Sequence, residues 1–324
     1  MNYSQTDVSS VVSDFLSYME NIKGKSKNTV KEYYYDLRMF LRFIKIIKCE
    51  KKTDFDLIDQ VNILDINIDV IKTITLSDLY SFMTYLTRER NLNASSRARK
   101  VASIKSFMKY LTDKAKLLDH NPASELESPK ILKKLPKYLN IDESKLLLDS
   151  VVGENEKRDY AMLTLFLNCG LRLSELVSIN INRIKGDTLV VIGKGSKERT
   201  IYLNEACLDA IEEYMTERPV DKVIDKNALF LSERKKRISN KTVQYTVKKY
   251  IISSGLDPDR YSTHKLRHTA ATLMYKYGKV DIRALQEILG HESISTTEIY
   301  THVDNSQLRA AVESNPLSKI KRKK

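Results

Sequence analysis

The chain has 324 residues, and 55 lysines and arginines against 42 aspartates and glutamates give it a net charge of +13. Hydrophobic residues at 42% and charged residues at 30% exclude a disordered or collagen-like chain. The sequence has no apolar run near the ~18 residues of a membrane span, no secretory signal pattern and too few cysteines for a disulfide framework. We therefore expect a cytoplasmic protein of about two domains, with a polyanionic partner and no membrane contact.

Residues 1–115 are predicted to form a helical domain. The first long helix begins near Thr29, because Thr29 and Glu32 have the spacing of a capping box. Residues 48–72 have weak periodicity and are predicted to be an irregular connection with one short helix. A second helix is predicted over residues 77–90.

A third helix begins at Ser95 or Ser96, either of which is a good N-cap residue. Residues 88–116 around it hold nine basic and two acidic side chains. One face of this helix is apolar, and the basic residues fall largely on the other. The pattern favours docking against a phosphate backbone, although a solvated helix face would look the same. The predicted DNA contacts here are Arg97, Arg99, Lys100 and Lys109.

Residues 116–137 contain three of the six prolines and are predicted to be the linker between domains. Residues 138–310 should then form a mainly helical domain with a small antiparallel sheet, followed by a basic tail over 311–324. The sheet signal is a hairpin from Thr188 to Leu203 that turns at Gly193–Lys197. Helices are predicted at 141–151, 158–168, 171–179, 205–217, 240–253, 263–276, 281–289 and 295–303.

The histidines are the first candidates for chemistry, because four of the five lie between His264 and His302. His264, Arg267 and His268 fall within one turn of a predicted helix. A His-x-x-x-His pair can hold zinc, but Lys265 stands where such metalloenzymes place their glutamate base, so no metal is predicted. His268 is equally well explained as a buried histidine bonded to the backbone. The glycines around Lys194 do not have the spacing of a phosphate-binding loop, and no nucleotide cofactor is predicted.

Five short motifs occur in one order along the chain. They are Gly170-Leu-Arg172-Leu-Ser-Glu175-Leu176, the hairpin lysine Lys194, His264-x-x-Arg267-His268, Leu289-Gly-His291 and Tyr300. In this combination the sequence resembles the tyrosine recombinases, or integrases, and most closely their Xer-type chromosome dimer resolvases. The N-terminal part, from Asn28-Thr29 to Phe40, is similar to the core-binding domain of that family.

The resemblance implies site-specific DNA recombination through a 3′-phosphotyrosyl intermediate, with Tyr300 as the nucleophile. It implies that Arg172 and Arg267 clamp the scissile phosphate, and the planar fork of arginine suits two phosphate oxygens. It further implies that Lys194 is the general acid, that His264 assists proton transfer and that His291 binds the phosphate. Glu175 and His268 would hold these groups in place. Lys197 and Arg199 touch DNA phosphates or are merely solvated.

The same resemblance implies duplex DNA as the partner and four protomers, identical or of two kinds, on two recombination sites. It implies that residues 304–317 dock on a neighbouring protomer, and it leaves open whether a cell-division DNA translocase activates the enzyme. Divalent metal should be dispensable, because cationic side chains take its place.

Two departures bear on the role. The stretch from Cys49 to Ile71 is longer than in compact Xer proteins, which weakens the preference for a housekeeping resolvase over a mobile-element integrase. No separate arm-binding domain precedes residue 10, which argues against the larger phage integrases. The rival functions are a type IB topoisomerase, which uses similar chemistry without a defined site, and a catalytically silent DNA-binding regulator.

Overall fold

The computed structural model describes residues 8–50, 55–131, 137–193 and 197–303. Its internal contacts divide the chain into two units, residues 1–133 and 134–324. Across the described residues both units are mainly helical, and the second also carries a three-stranded antiparallel sheet. The predicted fold class is therefore confirmed. No helix in the described part is both long and apolar enough to cross a bilayer.

In the part of the N-terminal unit that the structure describes, five α-helices surround an aromatic core. Phe40 and Phe82 meet edge to face with ring centroids 5.2 Å apart, and Phe15 and Phe107 do so at 5.3 Å. Turns of π-helix extend the first two helices at Tyr18–Ile22 and Ile46–Glu50. The helices are α1 Ser10–Ser17, α2 Lys27–Lys45, α3 Ile68–Lys72, α4 Leu76–Arg88 and α5 Ala94–Asp113.

Helix α1 was not predicted, and α2 begins at Lys27, near the predicted start, but the predicted capping box is wrong. Ser26 caps α2 one turn before the predicted capping box, because its hydroxyl accepts the Thr29 amide at 3.2 Å. Glu32 instead pairs with Arg99 at 2.7 Å. Helix α5 likewise begins earlier than predicted, at Ala94, because Asn93 accepts the Ser96 amide at 2.9 Å.

The two segments predicted to be connections pack on the N-terminal core. Residues 55–67 are irregular as predicted, but their isoleucines 58, 63 and 66 are buried there. In the predicted linker, Leu118, Ala123 and Leu126 are buried in the same core. Lys105 of α5 donates to the carbonyls of Ser124 and Leu126 at 3.2 and 2.8 Å. The first half of the predicted linker thus belongs structurally to the N-terminal unit.

The C-terminal unit surrounds a helix that is buried along most of its length, α7 Glu156–Cys169. The sheet runs β1 Ile184–Lys185, β2 Thr188–Ile192 and β3 Glu198–Tyr202 in that order, with Val190 opposite Thr200. The other helices are α6 Ile141–Asp149, α8 Leu173–Ser178, α9 Glu205–Glu217, α10 Asn240–Ser253, α11 Thr263–Lys276 and α12 Ile282–Leu289. The helix predicted over 295–303 is instead two 3₁₀ segments, Ile294–Thr296 and Glu298–Val303.

Candidate active site

Two helix ends meet where the sequence motifs converge. Helix α7 ends at Gly170 and α12 at Gly290, both in the left-handed conformation with φ of 60° and 62°. A Cβ on Gly170 would lie 2.9 Å from Leu289 Cδ2, so glycine is also needed there for the close approach of the two ends. Arg172 follows the first helix end and His291 follows the second.

Three successive carbonyls at the end of α12 each accept a hydrogen bond from a different arginine. Arg199 Nη1 donates to Ile288 O, Arg267 Nη2 to Leu289 O at 2.5 Å, and Arg172 Nη2 to Gly290 O at 2.6 Å. The last carbonyls of a helix have no partner within it and carry partial negative charge. The arginines therefore satisfy this helix end, and the helix end fixes where the three guanidinium groups lie.

The same three arginines surround one buried carboxylate, that of Glu175. Its oxygens accept from the Arg172 amide and Nη1, both at 2.7 Å, and from Arg199 Nη2 at 2.9 Å. Arg267 Nη1 lies 3.7 Å away. Burial alone would raise the pKa of Glu175, but bonds and charge from Arg199 and Arg172 overcome it and hold the pKa below its ordinary value. We call Arg172, Glu175, Arg199 and Arg267 the Glu175 cluster.

Three guanidinium groups against one carboxylate leave the Glu175 cluster with two surplus positive charges. The side chain of Arg267 is only 4% exposed, and it also donates to Gly170 O at 2.6 Å. Burial and the neighbouring Arg172 lower the pKa of Arg267 to about 10, which still leaves it charged at neutral pH. Arg172 is 30% exposed and is the most accessible of the three. The surplus charge therefore reaches solvent mainly through Arg172.

Tyr300 lies buried at 1% exposure, in an apolar cluster with Ala271, Leu285 and Leu289. Its hydroxyl and His268 Nδ1 share a hydrogen bond of 2.7 Å. Burial raises the pKa of Tyr300 to about 12, and the charge of Arg267 only partly opposes this. At pH 7 about one hydroxyl in 10⁵ would be ionised in this arrangement.

The histidines around Tyr300 are neutral at pH 7. Burial, reinforced by nearby cations and by one another, lowers the pKa of His268 and of His291 to about 4 and also lowers that of His264. The His264 and His268 rings meet edge to face with centroids 4.5 Å apart. His291 Nδ1 shares a hydrogen bond of 2.9 Å with the hydroxyl of Thr297. Neutral imidazoles of this kind are able to accept or relay a proton.

Two cavities open beside the Glu175 cluster and share Arg172, His291 and Thr296. One, of about 460 Å³, is lined by the base of the hairpin, including Lys197 and Arg199. The other, of about 470 Å³, is lined by His264 and Arg267 among others. Tyr300 lines neither cavity. A phosphate group in these cavities would therefore meet the arginines before the tyrosine.

The structure brings together most of the predicted catalytic residues. Hydrogen bonds, ion pairs or ring contacts link Arg172, Glu175 and Arg267 in one set and His264, His268 and Tyr300 in another. His291 lines both cavities with Arg172. Lys194, the predicted general acid, lies outside the described residues. His268 bonds the tyrosine hydroxyl, which excludes the alternative interpretation of a histidine bonded only to backbone.

Two of the predicted DNA contacts, Lys100 and Arg199, bond to carboxylates inside the protein. Lys100 was expected on the exposed face of α5, and that orientation is wrong: it is 5% exposed and bonds Asp36 at 2.8 Å. Asp36 belongs to α2, 64 positions earlier in the chain. Its negative charge compensates the charge of a lysine that is turned toward the core. Arg199 was expected at a DNA phosphate or in solvent, yet its side chain is 12% exposed and bound within the Glu175 cluster.

The other predicted DNA contacts have polar neighbours and different exposure. Lys197 is exposed at the mouth of the first cavity. Arg99 is 45% exposed and lies 2.7 Å from both Glu32 and Asp36. Lys109 is 73% exposed, while Arg97 donates to the hydroxyl of Thr87. Whether these side chains contact DNA stays a prediction.

Two parts of the site were not predicted from the sequence. Thr297 is fully buried and orients His291, and no feature of a single sequence marks it. The carbonyls of residues 288–290 bind the arginines. The only sequence signal for them is Gly290, which directly follows Leu289 and indicates that a helix ends there. Among the described residues, no group of three or more His, Cys, Asp or Glu is arranged to hold a metal ion.

Comparison with known proteins agrees with the motifs. Residues 137–307 match the phage integrase family, and residues 12–116 match the phage integrase N-terminal SAM-like domain. The tyrosine recombinase XerC of Caldanaerobacter subterraneus subsp. tengcongensis is 56% identical over 308 residues, covering 95% of this chain and 87% of that protein. The XerC of Leptospira interrogans (Copenhageni) is 31% identical over 313 residues, covering 95% of this chain and 93% of that protein.

Solved structures share the fold. The XerH site-specific recombinase bound to palindromic difH substrate superposes with a TM-score of 0.67 at 21% identity, covering 94% of each chain. The Tn1549 transposon integrase in complex with transposon right end DNA gives a TM-score of 0.68 at 20% identity, covering 94% of this chain and 98% of that one. At these identities the likeness shows the common fold alone.

Proposed function

Because this chain belongs to the phage integrase family and is a tyrosine recombinase of the Xer type, we propose that Tyr300 carries out its strand cleavage. The site-specific recombination of that family would here proceed through a 3′-phosphotyrosyl intermediate. One observation carries the assignment: Tyr300 shares a hydrogen bond with His268, which lies one residue from a buried arginine of the Glu175 cluster.

The Glu175 cluster supplies the charge that the reaction needs. The attack on a phosphodiester builds negative charge on the non-bridging oxygens, and preorganised cations stabilise it. Arg172 lines both cavities, and the more deeply buried Arg267 lines the second with its charge retained. We expect the pair to bind the scissile phosphate, with His291 as a further hydrogen-bond donor. Divalent metal should be dispensable, since guanidinium groups fill its electrostatic role.

The tyrosine has to leave its apolar cluster before it reacts. In the described arrangement Tyr300 has a raised pKa and no access to the cavities, so DNA binding must bring it toward Arg172. Its hydroxyl then attacks phosphorus and loses its proton to a neighbouring histidine, His264 or His268. The bond from phosphorus to the 5′-oxygen breaks, and Lys194 protonates that oxygen. The bond energy is kept in the phosphotyrosyl link, so no nucleotide cofactor is consumed.

The assembly follows from the number of strands cut. Recombination of two duplexes needs four cleavages, so we propose four protomers, identical or of two kinds, on two duplex sites in the cytoplasm. Residues 304–317, which lie outside the described residues, would dock on the next protomer. The biological role is either chromosome dimer resolution, with a cell-division DNA translocase as activator, or excision and integration of a mobile element. Footprinting on genomic fragments separates these, since the first predicts a site near the replication terminus.

A covalent trap tests the nucleophile. Nicked suicide substrates should convert wild-type protein to a DNA adduct that survives denaturing electrophoresis, and Tyr300→Phe should bind the same DNA and give none. Tyr277→Phe is the matched control, because Tyr277 is 55% exposed in the same unit. An adduct that persists in Tyr300→Phe would show that another residue attacks.

The two rival functions give different outcomes in the same trap. A type IB topoisomerase would also relax supercoiled plasmid that lacks any recombination site. A silent DNA-binding regulator would bind DNA and yield no adduct from the wild-type protein. The match to the phage integrase family and to XerC recombinases favours neither rival, and the surplus positive charge of the Glu175 cluster beside the cavities is what strand cleavage needs.

A further inference from the structure

Arg199 lies beside a cavity, but its charged group bonds to the protein interior and is hardly exposed to solvent. It lines the first cavity, yet its side chain is only 12% exposed. Nη2 and Nε donate to the two oxygens of Glu175 at 2.9 and 3.4 Å, and Nη1 donates to Ile288 O. Each of the three guanidinium nitrogens of Arg199 therefore donates a hydrogen bond to a group inside the protein.

The partners of Arg199 come from separate parts of the catalytic unit. The residue itself is on β3, which pairs with β2, and Lys194 lies between these two strands in the sequence. Glu175 is in the first turn of α8, the helix that begins directly after Arg172. Ile288 is in the last turn of α12, the helix that is followed by His291. One side chain thus connects the hairpin to the elements that carry two other candidate catalytic groups.

The loop after α12 is closely fitted to this side chain. A Cβ on Gly290 would lie 2.8 Å from Arg199 Cδ and 3.1 Å from Nε, so only glycine leaves room for the arginine. The carbonyl of the same Gly290 binds Arg172 at 2.6 Å. A displacement of Arg199 would therefore reach Arg172 by two routes, through Glu175 and through Gly290.

We propose that Arg199 is a positioning residue of the recombination reaction, which holds Glu175 and the end of α12 so that Arg172 and His291 face the scissile phosphate. The inference rests on the proposed function and assigns no DNA contact to Arg199. The planar guanidinium presents its donors in a fixed fork that spans Glu175 and Ile288 O, whereas the single ammonium nitrogen of a lysine has no such fixed geometry. Arg199→Lys should consequently restore part of the activity that Arg199→Gln loses.

Loss of Arg199 should also change the pH dependence of cleavage. The charged groups that face Glu175 are Arg172 from the start of α8, Arg199 from β3 and Arg267 from α11. Burial raises the pKa of Glu175, and Arg199 lowers it. Without Arg199 the pKa of Glu175 should therefore rise, and the carboxylate should be protonated at higher pH. The acidic limb of the cleavage profile should move upward in pH, which a purely structural defect would not produce.

The experiment measures single-turnover adduct formation on a suicide substrate at saturating DNA, together with DNA affinity as a function of salt. Arg199→Gln should lower the rate about 100-fold, the size expected when a reacting group is misplaced by about 1 Å. Its salt dependence of binding should equal that of the wild type. Lys197→Gln is the matched comparison for an exposed cation on the same hairpin, and a lost phosphate contact there should lower the slope by about one.

A double-mutant cycle separates the route through Glu175 from a general loss of folding. If Arg199 acts through the carboxylate as well as through the end of α12, the losses of Arg199→Gln and Glu175→Gln should combine to less than their product. The inference is overturned if the two losses multiply, or if Arg199→Gln cleaves normally at saturation and has a reduced salt slope. Should Arg199→Gln fail to fold, Arg199→Lys gives the same comparisons. Absence of an adduct from wild-type protein would instead contradict the proposed function.

Discussion

Asp36 in the N-terminal unit and Glu175 in the C-terminal unit are both buried carboxylates bonded to several polar or cationic groups, and their clusters differ in charge balance. In the N-terminal unit Asp36 of α2 bonds Arg99, Lys100 and Ser103 of α5 at 2.7 to 2.8 Å. Glu32 adds a second carboxylate at Arg99. We call these five residues the Asp36 cluster. Two cations against two carboxylates leave it neutral, whereas the Glu175 cluster keeps two positive charges.

The difference separates buried charge that is balanced within the protein from buried charge that remains available to a ligand. A neutral cluster joins α2 to α5 and leaves no charge for a ligand. A surplus of two charges is costly to hold beside a cavity, and the last carbonyls of α12 offset part of that cost. The position of a cation therefore matters more here than the total net charge of +13, of which residues 138–310 carry only +2.

The largest expected effect is the loss of Arg172. Arg172→Ala removes the most accessible charge of the Glu175 cluster, and single-turnover cleavage should fall about 10³-fold, as for other preorganised groups that bind developing negative charge. DNA affinity should change little. Arg234→Ala, in an exposed loop of the same unit, is the matched control and should cleave at the wild-type rate. A loss of 10-fold or less would remove Arg172 from the clamp.

The Asp36 cluster should affect stability and not chemistry. Asp36→Ala leaves Lys100 buried without its partner, which typically costs about 3 kcal/mol in the free energy of unfolding. Urea denaturation followed by circular dichroism measures this. Asp36→Ala combined with Lys100→Met should be the more stable of the two variants, because no unpaired charge is then buried. A larger loss in the double variant would contradict this account.

A smaller effect is expected at the end of α12. Gly290→Ala introduces a side chain at φ 62° and crowds Arg199, so it should cost about 2 kcal/mol in the free energy of unfolding and also slow cleavage. Gly255→Ala has a similar φ of 73° with open space around it, and should cost about 1 kcal/mol with cleavage unchanged. Equal behaviour of the two variants would show that contact with Arg199 is unimportant.

The smallest effect concerns pH. Because the pKa of His268 falls from 6.5 to about 4 on folding, the unfolded chain binds more protons between those values. Stability should therefore decrease as the pH falls from 6.5 toward 4, and be unaffected by this group above that window. His268→Asn should lose less stability than wild type between pH 6.5 and 5 in thermal unfolding. An equal loss in both proteins would assign the pH dependence to other groups.

The sequence predicted the local features and the motifs, because both depend on nearby residues. The end of α7 at Gly170 and helix α9 at Glu205–Glu217 agree with their turn and periodicity signals. The direction of Lys100 and the role of Arg199 could not be predicted in this way. Each is decided by a buried acid, Asp36 or Glu175, that lies 64 or 24 positions away and that periodicity does not reveal.

The burial of Tyr300 was not predicted from the sequence, for a different reason. Motif order identifies the tyrosine, but its exposure depends on Ala271, Leu285 and Leu289, which come from two other helices. The sequence therefore predicts which residue should react, and the structure adds that this residue lies in an apolar environment.

The surplus charge of the Glu175 cluster is tested most directly with a substrate whose scissile phosphate is a neutral methylphosphonate. If the cluster acts by balancing phosphate charge, this substrate no longer needs Arg172, and the defect of Arg172→Ala should shrink at least tenfold relative to ordinary DNA. Adduct formation by wild type and variant on both substrates gives the comparison. An equally large defect on the neutral substrate would contradict the account and make Arg172 a residue that only supports the local structure.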